Sequence, residues 1–89
     1  MKNYYSTVDN IVTTFSDVEE KNGFDEITVY FERQNGESFD FAEGKLPNVL
    51  IYKSYGFSQE ELYQLEKYMR NNAALIWELA SEQAGVGIA

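Results

Sequence analysis

The sequence predicts a small α+β domain with an N-terminal helix, a three-stranded antiparallel sheet, and a long C-terminal helix packed on one face of the sheet. Three observations lead to this fold class. The chain has 89 residues, about the size of one domain, which we place at residues 1–85. In its middle, two segments with alternating apolar and polar residues lie on either side of Asn35-Gly36, as in a β-hairpin. Its last third repeats apolar residues at helical spacing.

The N-terminal segment, residues 5–22, has two interpretations. Residues 11–15 are rich in β-branched side chains, which favours a strand. Against this, the apolar residues do not alternate, and Asn22-Gly23 is a plausible helix end. Helical spacing is instead shown by Tyr5, Val8, Val12, Phe15 and Val18. The spacing therefore predicts a helix here.

The register of the hairpin follows from its apolar residues. A two-residue loop at Asn35-Gly36 would place Phe31 opposite Asp40 and mix the two faces. A three-residue loop, 34–36, places Phe31 opposite Phe39 and keeps the apolar side chains together. We therefore predict the longer loop, with a bulge and a left-handed Gly36. The outer polar face would then carry Thr28, Tyr30, Glu32, Ser38 and Asp40.

The third strand and the C-terminal helix follow in order. The continuous apolar run 49–52 predicts a strand buried on both sides. Ser58 and Glu61 have the spacing of a capping box, so we expect a helix from about 58 to 83. Gly85 is a plausible helix end, and 86–89 is expected to be a flexible tail. The buried face of the helix would carry Leu62, Leu65, Met69, Ala73, Ile76 and Ala80.

The composition argues against several classes of function. The chain has no His and no Cys, so it lacks the commonest general base, the commonest metal ligand and the thiol nucleophile. Its 15 acidic and 7 basic residues give a net charge of −8, which repels phosphate backbones and anionic membranes. We therefore expect no catalytic, metal or cofactor site and no direct nucleic-acid or membrane partner. An enzyme that uses carboxylate and Tyr alone is the remaining catalytic alternative.

The location of the protein in the cell is predicted from two kinds of segment, a signal peptide and a membrane span, neither of which is found in the sequence. The N-terminus has no apolar h-region of a signal peptide. No apolar run approaches the ~20 residues of a membrane span. We therefore expect a cytoplasmic protein.

The acidity is concentrated in the N-terminal half. Residues 1–43 carry a net charge of −7 and residues 44–89 a net charge of −1. We expect a non-catalytic protein-binding module, in its sharpest form an acidic inhibitor or nucleic-acid mimic of phage or mobile-element type. Its partner would be a basic nucleic-acid-binding protein, attracted by charge. The acids expected to bind it are Asp17, Glu19, Glu20, Asp25, Glu26, Glu32, Asp40 and Glu43.

A second candidate surface lies on one flank of the predicted C-terminal helix. Tyr63, Arg70 and Trp77 fall together there, and these residue types dominate interface hot spots. The flank either packs inside the domain or binds a partner or a second copy. The alternative function is accordingly a small self-assembling structural protein, a homo-oligomer whose acidity serves solubility.

Residues 47–78 combine an expected strand at Pro47–Ile51, the motif Gly-Phe-Ser-x-x-Glu-Leu at Gly56–Leu62, and a helix closing near Trp77. In these features the segment resembles the C-terminal half of a small bacterial family of unassigned function, often encoded near toxin–antitoxin genes. The His-rich N-terminal motif of that family has no counterpart here, because this chain has no His. The resemblance implies a bacterial, phage or mobile-element setting.

Overall fold

The computed structural model describes residues 1–83, which form an antiparallel sheet of six strands with one helix packed on it. The order across the sheet is β1-β2-β4-β5-β6, and β3 also pairs with β4. Gly85 and the predicted tail at 86–89 lie outside the described residues. The elements are β1 (Lys2–Val8), β2 (Ile11–Ser16), β3 (Glu19–Lys21), β4 (Phe24–Asn35), β5 (Ser38–Leu46), β6 (Leu50–Tyr55) and α1 (Gln59–Gln83).

The predicted N-terminal helix is wrong, because residues 2–21 form three strands instead. Tight turns at 9–10 and 22–23 join β1 to β2 and β3 to β4. Asp9 and Asn10 have φ of 51° and 66°, and Asn22 and Gly23 have φ of 53° and 84°. Positive φ at both central residues is the type I′ pattern, whose twist matches that of a hairpin. The turn at 9–10 interrupts the apolar spacing that suggested a helix, and the β-branched residues of β2 follow it.

The predicted three-stranded sheet with Phe31 opposite Phe39 is also wrong. The β4–β5 loop has two residues, Gly36 and Glu37, and Phe31 pairs with Ala42. Gly36 has a φ of 64°, so its predicted left-handed conformation is confirmed. This register differs from both alternatives considered for the hairpin. Its consequence is that Phe39 and Phe41 point away from the face that carries Phe31.

Packing against the helix explains this register. Gly44 of β5 faces α1 so closely that a Cβ atom built on it would lie 2.7 Å from Met69 Cε. Ala42, next to it on the same face, is fully buried. Small residues let the helix approach the sheet, and a Phe in either position would push it away. The aromatic residues of β5 therefore lie on the opposite face.

The predicted C-terminal helix is confirmed as α1. Its capping box is formed, since the Ser58 N–H donates to Glu61 Oε1 at 2.9 Å and the Glu61 N–H donates to Ser58 Oγ at 3.1 Å. Within residues 1–83, no helix combines the length and the apolar character needed to cross a bilayer. The core between sheet and helix consists of Phe15, Ile27, Val29, Phe31, Ala42, Leu46, Phe57, Leu65, Met69, Ile76 and Ala80.

The two outer strands of the sheet, β1 and β6, are irregular. The predicted third strand at 49–52 is not buried on both sides, because β6 is an edge strand whose Leu50 is half exposed. The β5–β6 register shifts between Glu43 and Gly44, and the β1–β2 register shifts between Tyr4 and Ser6. The pairing of β1 and that of β6 are thus each broken by a bulge or a similar irregularity.

Candidate binding surface on the uncovered face of the sheet

One face of the sheet packs on α1, and within residues 1–83 no helix covers the other face. Strand pairing places six aromatic side chains on this second face, which we name the uncovered aromatic face. Phe39 is 58% exposed and Tyr55 is 64% exposed. Aromatic side chains gain much free energy when another surface buries them. The six residues are Tyr4, Tyr30, Phe39, Phe41, Tyr52 and Tyr55.

Local contacts hold several of these rings in place. The rings of Phe41 and Tyr55 stack with their centroids 6.2 Å apart. The Tyr52 hydroxyl donates to Glu43 Oε1 at 2.7 Å. Lys2 Nζ lies 4.1 Å from the centroid of the Tyr30 ring, a cation–π contact. The face is therefore an ordered surface of rings with charged groups between them.

The Tyr52 hydroxyl is a hydrogen-bond donor over the whole physiological pH range. Burial raises its pKa, and the hydrogen bond to the Glu43 carboxylate raises it further, to about 12. The phenol therefore stays protonated and keeps the Glu43 side chain in position on the uncovered aromatic face.

Four of the predicted acids come together where β3 pairs with β4. Glu19 lies opposite Glu26, and Glu20 lies opposite Asp25, in a two-stranded segment that we name the acidic ribbon (residues 19–26). Like charges directly opposite each other on paired strands are destabilising. Phe24 at its end is 77% exposed, and alternation along β4 places it on the same side as Tyr30. One side of the ribbon, with Glu19 and Glu26, thus continues the uncovered aromatic face, whereas Glu20 and Asp25 lie on its other side.

The other predicted acids are spread over different environments. Asp40 lies on the helix side, is 2% exposed, and accepts from Arg33 Nη2 at 2.7 Å, so it is not available to a partner. Asp17 accepts from Asn3 Nδ2 at 3.1 Å. Glu32 lies on the uncovered aromatic face beside Glu43. The eight acids therefore do not form one surface.

The predicted helix flank does not form one surface either. Tyr63 and Arg70 are exposed on α1. Trp77 is partly buried, because it packs against the core. Of the three residues, two remain available for contact with another molecule.

Arg33 joins the end of the β4–β5 hairpin to the start of α1. Its Nη1 lies 2.6 Å from Glu61 Oε2, in addition to its ion pair with Asp40. The guanidinium also lies over the ring of Phe57, 4.5 Å from the centroid. Hydrogen bonds from Arg33, and then from the Ser58 N–H, lower the pKa of Glu61 to about 2.

This low pKa predicts a specific acid sensitivity. The Glu61 carboxyl binds fewer protons in the folded state than in the unfolded state, where its pKa is 4.5. Its contribution to stability is therefore present above pH 4.5 and is lost as the pH falls towards about 2. We expect the free energy of unfolding to fall less steeply over this range in E61Q than in the wild type. Urea unfolding at several pH values measures this, with E60Q as the control; equal slopes would contradict it.

Sequence reasoning missed the uncovered aromatic face because it assigned the wrong register to β5. With Phe39 and Phe41 assigned to the core, the outer face looked polar. The outer positions expected for Ser38 and Asp40 belong instead to Phe39 and Phe41. The available signal was the pair of small residues Ala42 and Gly44, which alternate with aromatic and charged ones.

Comparison with protein-family models, curated proteins and solved structures finds no match for this chain. The resemblance of residues 47–78 to a bacterial family therefore stays a prediction. Among residues 1–83, no three acidic side chains are grouped so that they could hold a metal ion.

Proposed function

We propose that this chain is a non-catalytic protein-binding module whose contact surface is the uncovered aromatic face. The observation that carries the proposal is the set of six aromatic side chains on a sheet face that no helix covers in residues 1–83. Contiguous exposed apolar surface is rare on monomeric proteins and typically marks an interaction site. Tyr is also among the residue types that dominate interface hot spots.

The charges around this face favour a basic partner. Three carboxylates on the face itself are matched by three lysines, so the excess of negative charge comes from the acidic ribbon beside it. The six residues are Glu26, Glu32, Glu43, Lys2, Lys45 and Lys53. A net charge of −8 would accelerate association with a basic surface, and salt would weaken this effect. In the finer form of the proposal, the partner is a nucleic-acid-binding protein of a bacterial cytoplasm, and the chain is an acidic inhibitor of phage or mobile-element type.

The test compares two double variants in a pull-down from bacterial lysate, with the bound proteins identified by mass spectrometry. F39S/Y55S removes two exposed rings from the uncovered aromatic face. Y63S/L75S removes two similarly exposed side chains from α1 and is the matched control. We expect the first to lose a partner that the wild type and the control retain. Equal capture by all three would overturn the proposal.

Neutralising the acidic ribbon should have opposite effects on binding and on stability. The variant E19Q/E20Q/D25N leaves Glu26 in place because Lys45 Nζ lies 3.1 Å from it. We expect binding of the captured partner to weaken about tenfold or more at low salt, with a smaller difference at high salt. Stability should stay equal or rise, because like charges no longer face each other.

The matched control for this variant is D9N/E37Q/E60Q, which removes the same charge at the other end of β4. Asp9 and Glu37 lie in the turns next to the Arg33 end, and Glu60 lies in the first turn of α1. Calorimetric titration of the purified partner and thermal unfolding give the two readouts. Equal weakening by both triple variants would mean that net charge alone matters, and the ribbon would then have no specific role.

Self-assembly through α1 is the second candidate function, favoured by the exposure of Tyr63 and Arg70. Sedimentation equilibrium distinguishes the two. If the wild type is oligomeric, Y63S/L75S dissociates it, and the ribbon variant stays oligomeric, then the chain is a structural protein and the acidity serves solubility.

A further inference from the structure

A cavity lies on the opposite side of the sheet, between the β1–β2 turn and α1. Its volume is about 330 Å³, within the range of small-molecule sites. Its walls combine apolar side chains with charged and amide groups, an arrangement that typically orients a small ligand. The side chains used below are Asp9, Ile11, Thr13, Leu65 and Lys67.

Thr13 lines this cavity on the side of the sheet. The residue is 2% exposed, and its hydroxyl takes part in none of the side-chain hydrogen bonds found within residues 1–83. The hydroxyl groups of its neighbours Ser6 and Tyr68 form a hydrogen bond with each other, with the two oxygens 2.6 Å apart. A hydroxyl group can donate one hydrogen bond and accept two. The Thr13 hydroxyl is therefore available to a molecule that fills the cavity.

Two opposite charges stand at the mouth of the cavity. Asp9 lies on the β1–β2 turn, and Lys67 lies across from it on α1. The ion pairs found within residues 1–83 join Arg33 to Asp40 and Glu61, and Lys45 to Glu26. Neither Asp9 nor Lys67 takes part in them. The mouth therefore offers one anionic and one cationic group, separated from each other.

We propose that this cavity binds a small zwitterion with an aromatic body and a polar tip, the chemistry of a tyrosine-like amino acid. The ligand carboxylate would pair with Lys67 and its ammonium with Asp9. Its ring would lie on Ile11 and Leu65, with the polar tip at the Thr13 hydroxyl. This site is separate from the uncovered aromatic face, so it does not depend on the proposed protein-binding function.

The test uses four probes that differ by one group. L-Tyrosine carries all the groups, tyramine lacks the carboxylate, 3-(4-hydroxyphenyl)propionate lacks the ammonium, and L-phenylalanine lacks the phenol hydroxyl. Titrations are followed by amide shifts in NMR spectra of the full chain. We expect L-tyrosine to bind with a dissociation constant on the order of a millimolar or below, as its small size allows. The largest shifts should occur at Thr13, Leu65 and Lys67.

Three single variants assign each interaction. K67Q should weaken tyrosine about threefold to fivefold and leave tyramine unchanged. D9N, which the left-handed φ of this residue tolerates, should weaken tyrosine and leave 3-(4-hydroxyphenyl)propionate unchanged. T13V should remove the preference for tyrosine over phenylalanine, about twofold to tenfold. K53Q and E37Q, on other surfaces, are the charge-matched controls.

Absence of binding up to the solubility of tyrosine would overturn the proposal. It would also be overturned if the variants left the preferences among the four probes unchanged, or if the amide shifts lay outside the cavity. T13V conserves side-chain volume and removes a hydroxyl that has no partner in the described chain, so its circular dichroism melt should match or exceed that of the wild type. A lost preference in a folded T13V variant therefore reports the hydroxyl itself.

Discussion

Replacing Phe31 with alanine is expected to destabilise the fold by about 3–5 kcal/mol. Phe31 is fully buried between the sheet and α1, and it meets the Tyr68 ring edge to face at a centroid distance of 6.4 Å. The deletion removes this contact and leaves a cavity in the centre of the core. Small domains have about 5–15 kcal/mol of total stability, so F31A would lose a large part of it.

The control for this prediction is F39A, the same substitution on the adjacent strand. Because Phe39 is 58% exposed on the opposite face, its loss should change stability by no more than about 0.5 kcal/mol. Urea unfolding of both variants measures the difference. Similar losses of stability in F31A and F39A would restore the register that pairs these two residues in the core, and would contradict the observed pairing of Phe31 with Ala42.

Replacing Asp40 with alanine should lower the midpoint of thermal unfolding by about 10 °C or more. The buried carboxylate accepts from Arg33 Nε and Nη2 at 3.0 and 2.7 Å, and from Asn35 Nδ2 at 3.3 Å. Its removal breaks three hydrogen bonds at once and leaves Arg33 with its contacts to Glu61 and Phe57. The hairpin and the first turn of α1 then lose part of their connection.

A second substitution tests the same interaction from outside the ion pair. Gly56 has a φ of 89°, and a Cβ atom there would overlap the Asp40 carboxylate. G56A should therefore lower the unfolding midpoint as well, and the double variant D40A/G56A should be less destabilised than the sum of the two. G36A, at a glycine whose added Cβ meets no neighbour, is the control for the left-handed backbone. If the effects of D40A and G56A on the unfolding midpoint simply add, the cost of G56A comes from the left-handed backbone at this position and not from its contact with Asp40.

The parts of the fold that the sequence predicts correctly depend on local interactions. The helix α1 begins with a capping box four residues long and continues with apolar residues at steps of three and four. Both signals lie within a few residues of the positions that they determine. The left-handed Gly36 is local in the same sense, since a tight hairpin turn needs positive φ there.

The N-terminal strands could have been predicted from their turns. Asp9-Asn10 and Asn22-Gly23 are dipeptides that adopt type I′ turns readily, and each lies between segments that pair. Helical spacing of the intervening apolar residues was the weaker signal. A turn dipeptide fixes the backbone directly, whereas a few apolar positions fit more than one period by chance.

The register of β5 and the candidate site depend on contacts between distant residues. The choice between burying Phe39 and burying Asp40 is made by Arg33 together with Glu61, which is 28 positions further along the chain. The position of Gly44 is decided by Met69 of α1. No local pattern contains these contacts. The uncovered aromatic face and the cavity beside Thr13 therefore emerge only when the helix is placed on the sheet.

The shifts in register at both edges of the sheet influence how copies of this chain can meet. A straight edge strand offers a regular row of backbone donors and acceptors, which invites another strand to extend the sheet. Here the row is broken beside Tyr4 on β1 and beside Glu43 on the β5–β6 pair. Fibril growth, which needs strand added to strand without interruption, is disfavoured at both ends. Contacts between this chain and other molecules are thus favoured on the broad uncovered aromatic face, where two surfaces can stack, and not at the edges of the sheet.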